Sequence, residues 1–345
     1  MDLSGKRVLI VRLSALGDVL RTLPAVAGLQ QRFKDATFFW LVEKPSAGLL
    51  SALPGIHPII IAREDLRKGG PLGRLSALKN VVKQLKALQI DVSIDFHGVL
   101  KSGIFPWLAK IPQRIGFERG GSKEGHRWFL NHRVMLKDPA ISRYERNLAL
   151  VRSLDPSLEP RVPNLILSED ETDEVASVMR NRPILFFPGT SAHGRNKRWP
   201  ATYWAHLYRK VKASHPVLFS FGPADAEYRG ELSAQLGDTL EELPSFSLAQ
   251  FAKALMMSRM LVSCDTGPLH LAAIFNVPVV AMMGPSDPVL NQPSSGLREV
   301  ILPGVACAPC RNRNCQVLIC QDVTTPQRVE QAVVRMMART EEAGS

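Results

Sequence analysis

The chain has 345 residues, 45% of them hydrophobic and 22% charged, globular proportions that exclude a disordered or fibrous protein and a length that predicts two domains. Its net charge of +11 is one-sided: residues 1–163 hold 26 lysines and arginines against 14 aspartates and glutamates, and the remainder 17 against 18. A positive field confined to one half predicts an anionic partner, whether nucleic acid, an anionic membrane surface or an acidic substrate, whereas a merely solubilising charge would be spread evenly.

Met1 to Lys6 leads straight into a strand-like run with no signal-peptide anatomy. The longest apolar run, Leu271 to Pro285, is broken by Asn276 and Pro278, short of the roughly 18 residues that cross a bilayer. The expectation is a cytoplasmic chain. Val8–Val11, Phe38–Val42, Ile59–Ile61 and Val92–Phe96 read as buried strands. Before the last of them, Leu75, Leu78, Val82, Leu85 and Leu88 recur at helical spacing, and Arg143–Leu154 reads as a closing helix. Pro156, Pro160 and Pro163 mark a joint, predicting domains at 1–163 and 164–345.

The second half restarts with a strand at Ile184–Phe187, a helix near Tyr203–Ala213, a strand at Val217–Phe221 and a helix at Ala224–Leu236. A helix at Leu248–Met257, a strand at Met260–Cys264, a helix at His270–Phe275, a strand at Val279–Met282 and a last helix at Pro326–Arg339 follow. Such apolar strands separated by helices predict parallel sheets covered on both faces. The fold class is therefore α/β, two Rossmann-like domains facing across a cleft.

In open sheets of this kind ligands bind beyond the carboxyl ends of the strands. No G-x-G-x-x-G follows the first strand and no P-loop occurs, which removes the main support for dinucleotide or P-loop chemistry. Three strand-end loops remain. In Arg12–Asp18, Ser14 and Gly17 allow a ligand close to the backbone, and Asp18 is either a helix N-cap or a general base. In Pro188–Pro200, Thr190 and Ser191 precede Arg195, Lys197 and Arg198, a set suited to a phosphate or pyrophosphate. In Ser263–His270, Asp265, Thr266, Gly267 and His270 stand at a helix start able to hold an anion.

These loops, with Asp-Thr-Gly-Pro-Leu-His-Leu-Ala-Ala at 265–273 and Gly-Pro-Ser-Asp-Pro at 284–288, resemble glycosyltransferase family 9, the ADP-heptose:lipopolysaccharide heptosyltransferases. Ile94–Ser102, Gly116-Phe117 and Phe129-Leu130-Asn131 are most similar to its heptosyltransferase I branch. The resemblance implies a GT-B fold and an inverting transfer of L-glycero-D-manno-heptose from ADP-heptose to the Kdo region of lipid A, with no cofactor required. It implies Asp18 as general base and Lys197 as stabiliser of the donor diphosphate. Donor contacts fall to Ser14, Gly17, Thr190, Ser191, Asp265, Thr266, Gly267 and His270. The Gly222–Glu227 stretch lies in the adenine region without a chosen carboxylate. An acidic acceptor at the inner leaflet also accounts for the basic first half, making Arg63, Arg67, Lys68, Lys101 and Lys123 candidate acceptor contacts and the enzyme peripheral to the inner membrane.

Cys307, Cys310, Cys315 and Cys320 form C-x₂-C-x₄-C-x₄-C. That spacing suits a structural zinc, or less readily an iron–sulfur cluster, and equally four reduced thiols. Two rival functions stand against the main one. Another family 9 or GT-B nucleotide-sugar enzyme would differ in donor and acceptor. A nucleic-acid-binding protein would show steep salt dependence, but no helix-turn-helix, zinc-finger or RNP-type signature supports it, so no nucleic acid is expected.

Overall fold

The computed structural model describes residues 1–62, 70–118, 121–138, 140–310 and 312–344. The chain divides into two compact units, Met1–Ile166 and Leu167–Ser345. The first unit runs β1 (Arg7–Val11), α1 (Leu16–Arg32), β2 (Thr37–Glu43), α2 (Lys44–Ser51), β3 (Ile56–Ile61), α3 (Gly70–Ala87), β4 (Val92–Asp95), α4 (Leu100–Leu108), β5 (Gln113–Phe117), β6 (His132–Val134) and α5 (Arg143–Arg152). The second runs α6 (Glu169–Met179), β7 (Ile184–Phe187), α7 (Ala201–Lys212), β8 (Val217–Phe219), α8 (Ala226–Leu236), α9 (Leu248–Met257), β9 (Met260–Cys264), α10 (Gly267–Ile274), β10 (Val279–Met282), α11 (Pro288–Asn291), β11 (Arg298–Ile301), α12 (Ile319–Asp322) and α13 (Pro326–Gly344).

The central strands are apolar because helices cover both faces of each sheet. Val8 to Val11, Ile184 to Phe187 and Met260 to Cys264 are buried without alternation, as a parallel sheet requires. All strand pairs within the two sheets are parallel. The first sheet is ordered β3-β2-β1-β4-β5-β6 and the second β11-β10-β9-β7-β8. In each, the direction of winding reverses once: between β1 and β4 in the first, and between β7 and β9 in the second. At such a switch point the two following loops diverge to opposite faces and leave a crevice, where open α/β sheets bind ligands.

Strands β5, β6 and β11 were not foreseen. Gln113–Phe117 opens on two polar residues, His132–Val134 is short and mostly exposed, and Arg298–Ile301 is a half-exposed edge, so none has an apolar run to mark it. Helix α6 was also missed, although Ser168 and Glu171 form a capping box at its start. The proline-rich segment folds back on the first unit: Arg161 N–H donates to Pro24 O and Ile166 N–H to Ala52 O. It packs so closely on α1 that a Cβ on Gly28 would meet Glu159 O at 2.3 Å. Among the described residues no helix is long and apolar enough to cross a membrane.

Candidate active site

The first switch point is built around Asp18. Helix α1 starts at Leu16 with Ala15 as its N-cap and no side-chain cap bond, so Asp18 is the third helical residue and not the cap that the sequence left open. Its carboxylate instead meets three guanidinium groups. Arg12 Nη2 lies 2.6 Å from Oδ2, while Arg143 Nη1 at 2.7 Å and Arg21 Nη1 at 3.1 Å share Oδ1. Burial opposes ionisation here, but the charges of Arg12, Arg143 and Arg21 outweigh it and hold the carboxyl far below the usual carboxylate range. Ser14 is half-buried and Gly17 lies in the first turn of α1.

The β4 end supplies the other wall of this crevice. Buried Asp95 accepts hydrogen bonds from the N–H groups of His97 (2.8 Å) and Gly98 (3.0 Å), and its other oxygen meets His126 Nε2 at 2.8 Å. This fixes the turn that presents His97, whose Nδ1 accepts the N–H of Leu13 at 3.3 Å. Burial first, then the nearby Arg12 charge, hold the His97 imidazole down at about 4, so the ring is neutral near pH 7. Unfolding restores its ordinary value of 6.5. The unfolded chain therefore binds the extra proton between these limits, and the fold loses stability as pH falls from 6.5 towards 4. The melting temperature of His97→Gln should fall less over that window than that of the unaltered chain. Equal slopes in thermal scans at pH 4.5 and 6.5 would remove His97 from this account.

The candidate acceptor cations fare differently. Arg63, Arg67 and Lys68 lie outside the described residues. Lys101 is committed to the buried Glu43 carboxylate at 2.7 Å, and Lys123 is exposed, its backbone N–H donating to Gly98 O at 2.8 Å. The sequence reading gave no role to Arg12, Arg21, His97, Arg143 or Arg146. Arg21 was findable, one helical turn from Asp18. Arg143 stands 125 residues away, and no local pattern links the two.

At the second switch point Asp265 is the hub. Its Oδ2 accepts from Lys197 Nζ (2.6 Å) and Ser286 Oγ (2.6 Å), and its Oδ1 faces His270 Nε2 at 3.2 Å. Burial opposes the charge, yet the His270 hydrogen bond and the Lys197 ammonium hold Asp265 far below the usual range. The loops after β7, β9 and β10 are thereby tied together, joining Lys197, Asp265, His270 and Ser286, the last unforeseen. Thr266 caps α10 by position without a side-chain cap bond, and its hydroxyl lies 3.1 Å from Ser263 Oγ. Gly267 follows it as the first residue of α10, whose first-turn N–H groups have no intrahelical partner. Thr190 is buried and Ser191 exposed beside them.

Asp225 proves to be a brace. It is buried, accepts from the N–H groups of Thr190 (3.1 Å) and Gly222 (2.9 Å), and pairs with Arg198 at 3.3 Å. A Cβ on Gly189 would collide with its Oδ2 at 1.9 Å. Glu227 is exposed and paired with Arg195 at 2.8 Å.

The expectation of a structural zinc or iron–sulfur cluster is not supported. Cys307, Cys310, Cys315 and Cys320 are free thiols on the rim of one small cavity beside Asn196 and Pro285. Yet among the described residues no three His, Cys, Asp or Glu side chains converge to hold a metal ion. The loop is held by other means. Cys310 N–H donates to Pro285 O, Asn196 Nδ2 to Asn312 O at 3.0 Å, and Gln321 Nε2 to Asn196 O at 3.1 Å. Burial, reinforced by the neighbouring thiols, pushes the Cys320 thiol up.

The family model for glycosyltransferase family 9 (heptosyltransferase) matches residues 78–319. The chain is 30% identical to lipopolysaccharide heptosyltransferase 1 of Pseudomonas aeruginosa over 322 residues, 90% of this chain and 87% of that protein. Among solved structures it is similar to a glycosyl transferase family 9 protein from Veillonella parvula (TM-score 0.79, 21% identity, 98% and 99% of the two chains). It is also similar to the E. coli heptosyltransferase WaaC solved with ADP (TM-score 0.73, 24% identity, 96% and 99%). The structural likeness is one of fold, the GT-B fold with two parallel α/β sheets.

Proposed function

The chain belongs to glycosyltransferase family 9, the heptosyltransferases, and from that premise we propose that it transfers heptose from ADP-heptose to the lipopolysaccharide inner core. The step proposed is the first one, in keeping with the name of the Pseudomonas relative, lipopolysaccharide heptosyltransferase 1, and the acceptor is the Kdo region of lipid A that the family resemblance implies. One observation carries the reading: each sheet sets a charged side chain with the chemistry the reaction needs at its own switch point, the Asp18 carboxylate in the first unit and the Lys197 ammonium in the second. The first unit would take the acceptor and the second the nucleotide-sugar.

In the proposed reaction an acceptor hydroxyl gives its proton to Asp18 as its oxygen attacks C1 of the heptose. The bond from C1 to the diphosphate breaks, the anomeric configuration inverts, and ADP leaves with the negative charge. Lys197 has three N–H donors. Two are directed at Asp265, Oδ2 at 2.6 Å and the backbone oxygen at 3.4 Å, leaving one for a phosphate oxygen. The α10 N–H groups add positive potential at the same place, with Thr190 and Ser191 supplying hydroxyls and Asp265 and His270 orienting the sugar. No metal ion is needed to balance the leaving charge. The basic first unit would also hold the enzyme against an anionic inner leaflet.

The test is ADP release from ADP-heptose with and without Kdo-lipid A. Acceptor-dependent release, undiminished in EDTA, is the expected result. Release that ignores the acceptor would leave the donor assignment and overturn the acceptor. Loss of release in EDTA would overturn metal independence.

A further inference from the structure

Asp18 is poorly placed to act as a base while its partners stay where they are. Both carboxylate oxygens are engaged, Oδ2 by Arg12 and Oδ1 by Arg21 and Arg143. Oδ1 thus has both acceptor sites taken and Oδ2 one of two, and a hydroxyl meets a stronger base at an oxygen that a guanidinium has vacated. The three partners differ in their freedom to leave. The Arg12 side chain is 11% exposed and its Nη1 also donates to Phe96 O at 2.6 Å. Arg21 is 7% exposed and rises from the same helix as Asp18. Arg143 is 45% exposed and reaches over from the first turn of α5. An ion pair with so exposed a partner is weakly held.

A second anion would be welcome here. One turn along α5, the Arg146 guanidinium lies over the Phe117 ring at 4.5 Å and donates to Gly121 O. Burial, and then the charges of Arg12 and Arg143, lower its pKa to about 10, the sign of crowded positive charge. The buried Nε atoms of Arg12 and Arg146 have no hydrogen-bond partner. Three guanidiniums thus meet the Asp18 carboxylate and a fourth, Arg146, lies within their electrostatic reach, while Asp95 is turned to His126.

We propose that Arg143 is a displaceable latch on Asp18: an oxyanion of the acceptor draws Arg143 away, beside Arg146, and so frees the carboxylate for the acceptor's own hydroxyl. Arg143 is then a positioning residue, and the base becomes available only when the correct acceptor is present. The latch guards the donor, because a water reaching the unlatched base could give Asp18 its proton and attack C1, releasing ADP and free heptose. The inference rests on the heptosyltransferase reading above.

The test uses the full chain with ¹³C-labelled aspartate, the Asp18 carboxyl resonance being identified by its loss in Asp18→Asn. At neutral pH, Kdo or inorganic phosphate should move that resonance in the unaltered chain toward its position in Arg143→Ala, and should leave it unmoved in Arg143→Ala. Movement with Kdo alone assigns the anion as a carboxylate, and movement with phosphate alone as a phosphate; movement with neither overturns the latch. In turnover, Arg143→Ala and Arg143→Gln should raise acceptor-independent ADP release about tenfold, one decade in rate, while transfer to Kdo-lipid A falls. A higher acceptor KM with unchanged hydrolysis would make Arg143 an acceptor contact only and overturn the latch. Should the unaltered chain release no ADP from ADP-heptose, the functional reading fails, and the resonance shifts alone decide the latch.

Discussion

Asp18→Asn should lower kcat by about 10²–10⁴-fold, the usual worth of a general base, with the fold retained by circular dichroism. The substitution keeps the size and one acceptor oxygen of the side chain, so either Arg12 or the Arg21 and Arg143 pair comes to face an amide NH2 that cannot accept, and all three lose the charge that balances them. A lower melting temperature is therefore expected beside the kinetic loss, and the two must be read separately. The kinetic effect should survive at temperatures well below the transition. Near-full turnover in the folded variant would reduce Asp18 to the hub of an arginine cluster. The depressed proton affinity of Asp18 in the arginine cluster sharpens the expectation. A carboxylate so stabilised is a weak base until one partner leaves, and the loss should therefore lie in kcat and not in donor KM.

Lys197→Ala should cost roughly 10²–10³-fold in kcat, the scale for removing one preorganised charge from a leaving group. The structure makes this a two-part experiment, because Lys197 also pairs with buried Asp265 at 2.6 Å. Truncation leaves Asp265 to His270 and Ser286, and some loss of thermal stability will follow. Lys197→Arg keeps the charge and should recover stability more fully than turnover, since a planar fork cannot reproduce the ammonium's three radiating donors. If Lys197→Ala lowered only the melting temperature, its place would be in the Asp265 network alone.

Much of this molecule could be read in the chain. The central strands Ile184–Phe187, Met260–Cys264 and Val279–Met282 and the helix Leu248–Met257 fall on the residues expected, because an unbroken apolar run can only be buried on both faces. The strands missed are the edge strands β6 and β11 and their neighbour β5, where half-exposed polar residues erase that signal. The loops carrying Asp18, Lys197 and Asp265 were also legible, since hydroxyl, glycine and charged residues after an apolar strand have few purely structural uses. Asp265 and Lys197 were picked out separately, from loops about seventy residues apart. That they touch followed from no pattern in either loop.

By itself, then, the sequence determined two parallel-sheet units, the family, and the strand-end loops to which we assign its chemistry, because these depend on local periodicity and on residue types at strand ends. It could not decide what those residues touch. Asp18 might have been a cap, Asp225 an adenine contact, and the four cysteines a metal site. Tertiary structure made Asp18 the centre of an arginine cluster, Asp225 a brace under Gly189, and the cysteine loop a segment held by Pro285, Asn196 and Gln321. Each outcome turns on partners far away in the chain, Arg143 above all, and electrostatic energies depend steeply on separations that only the packed fold sets.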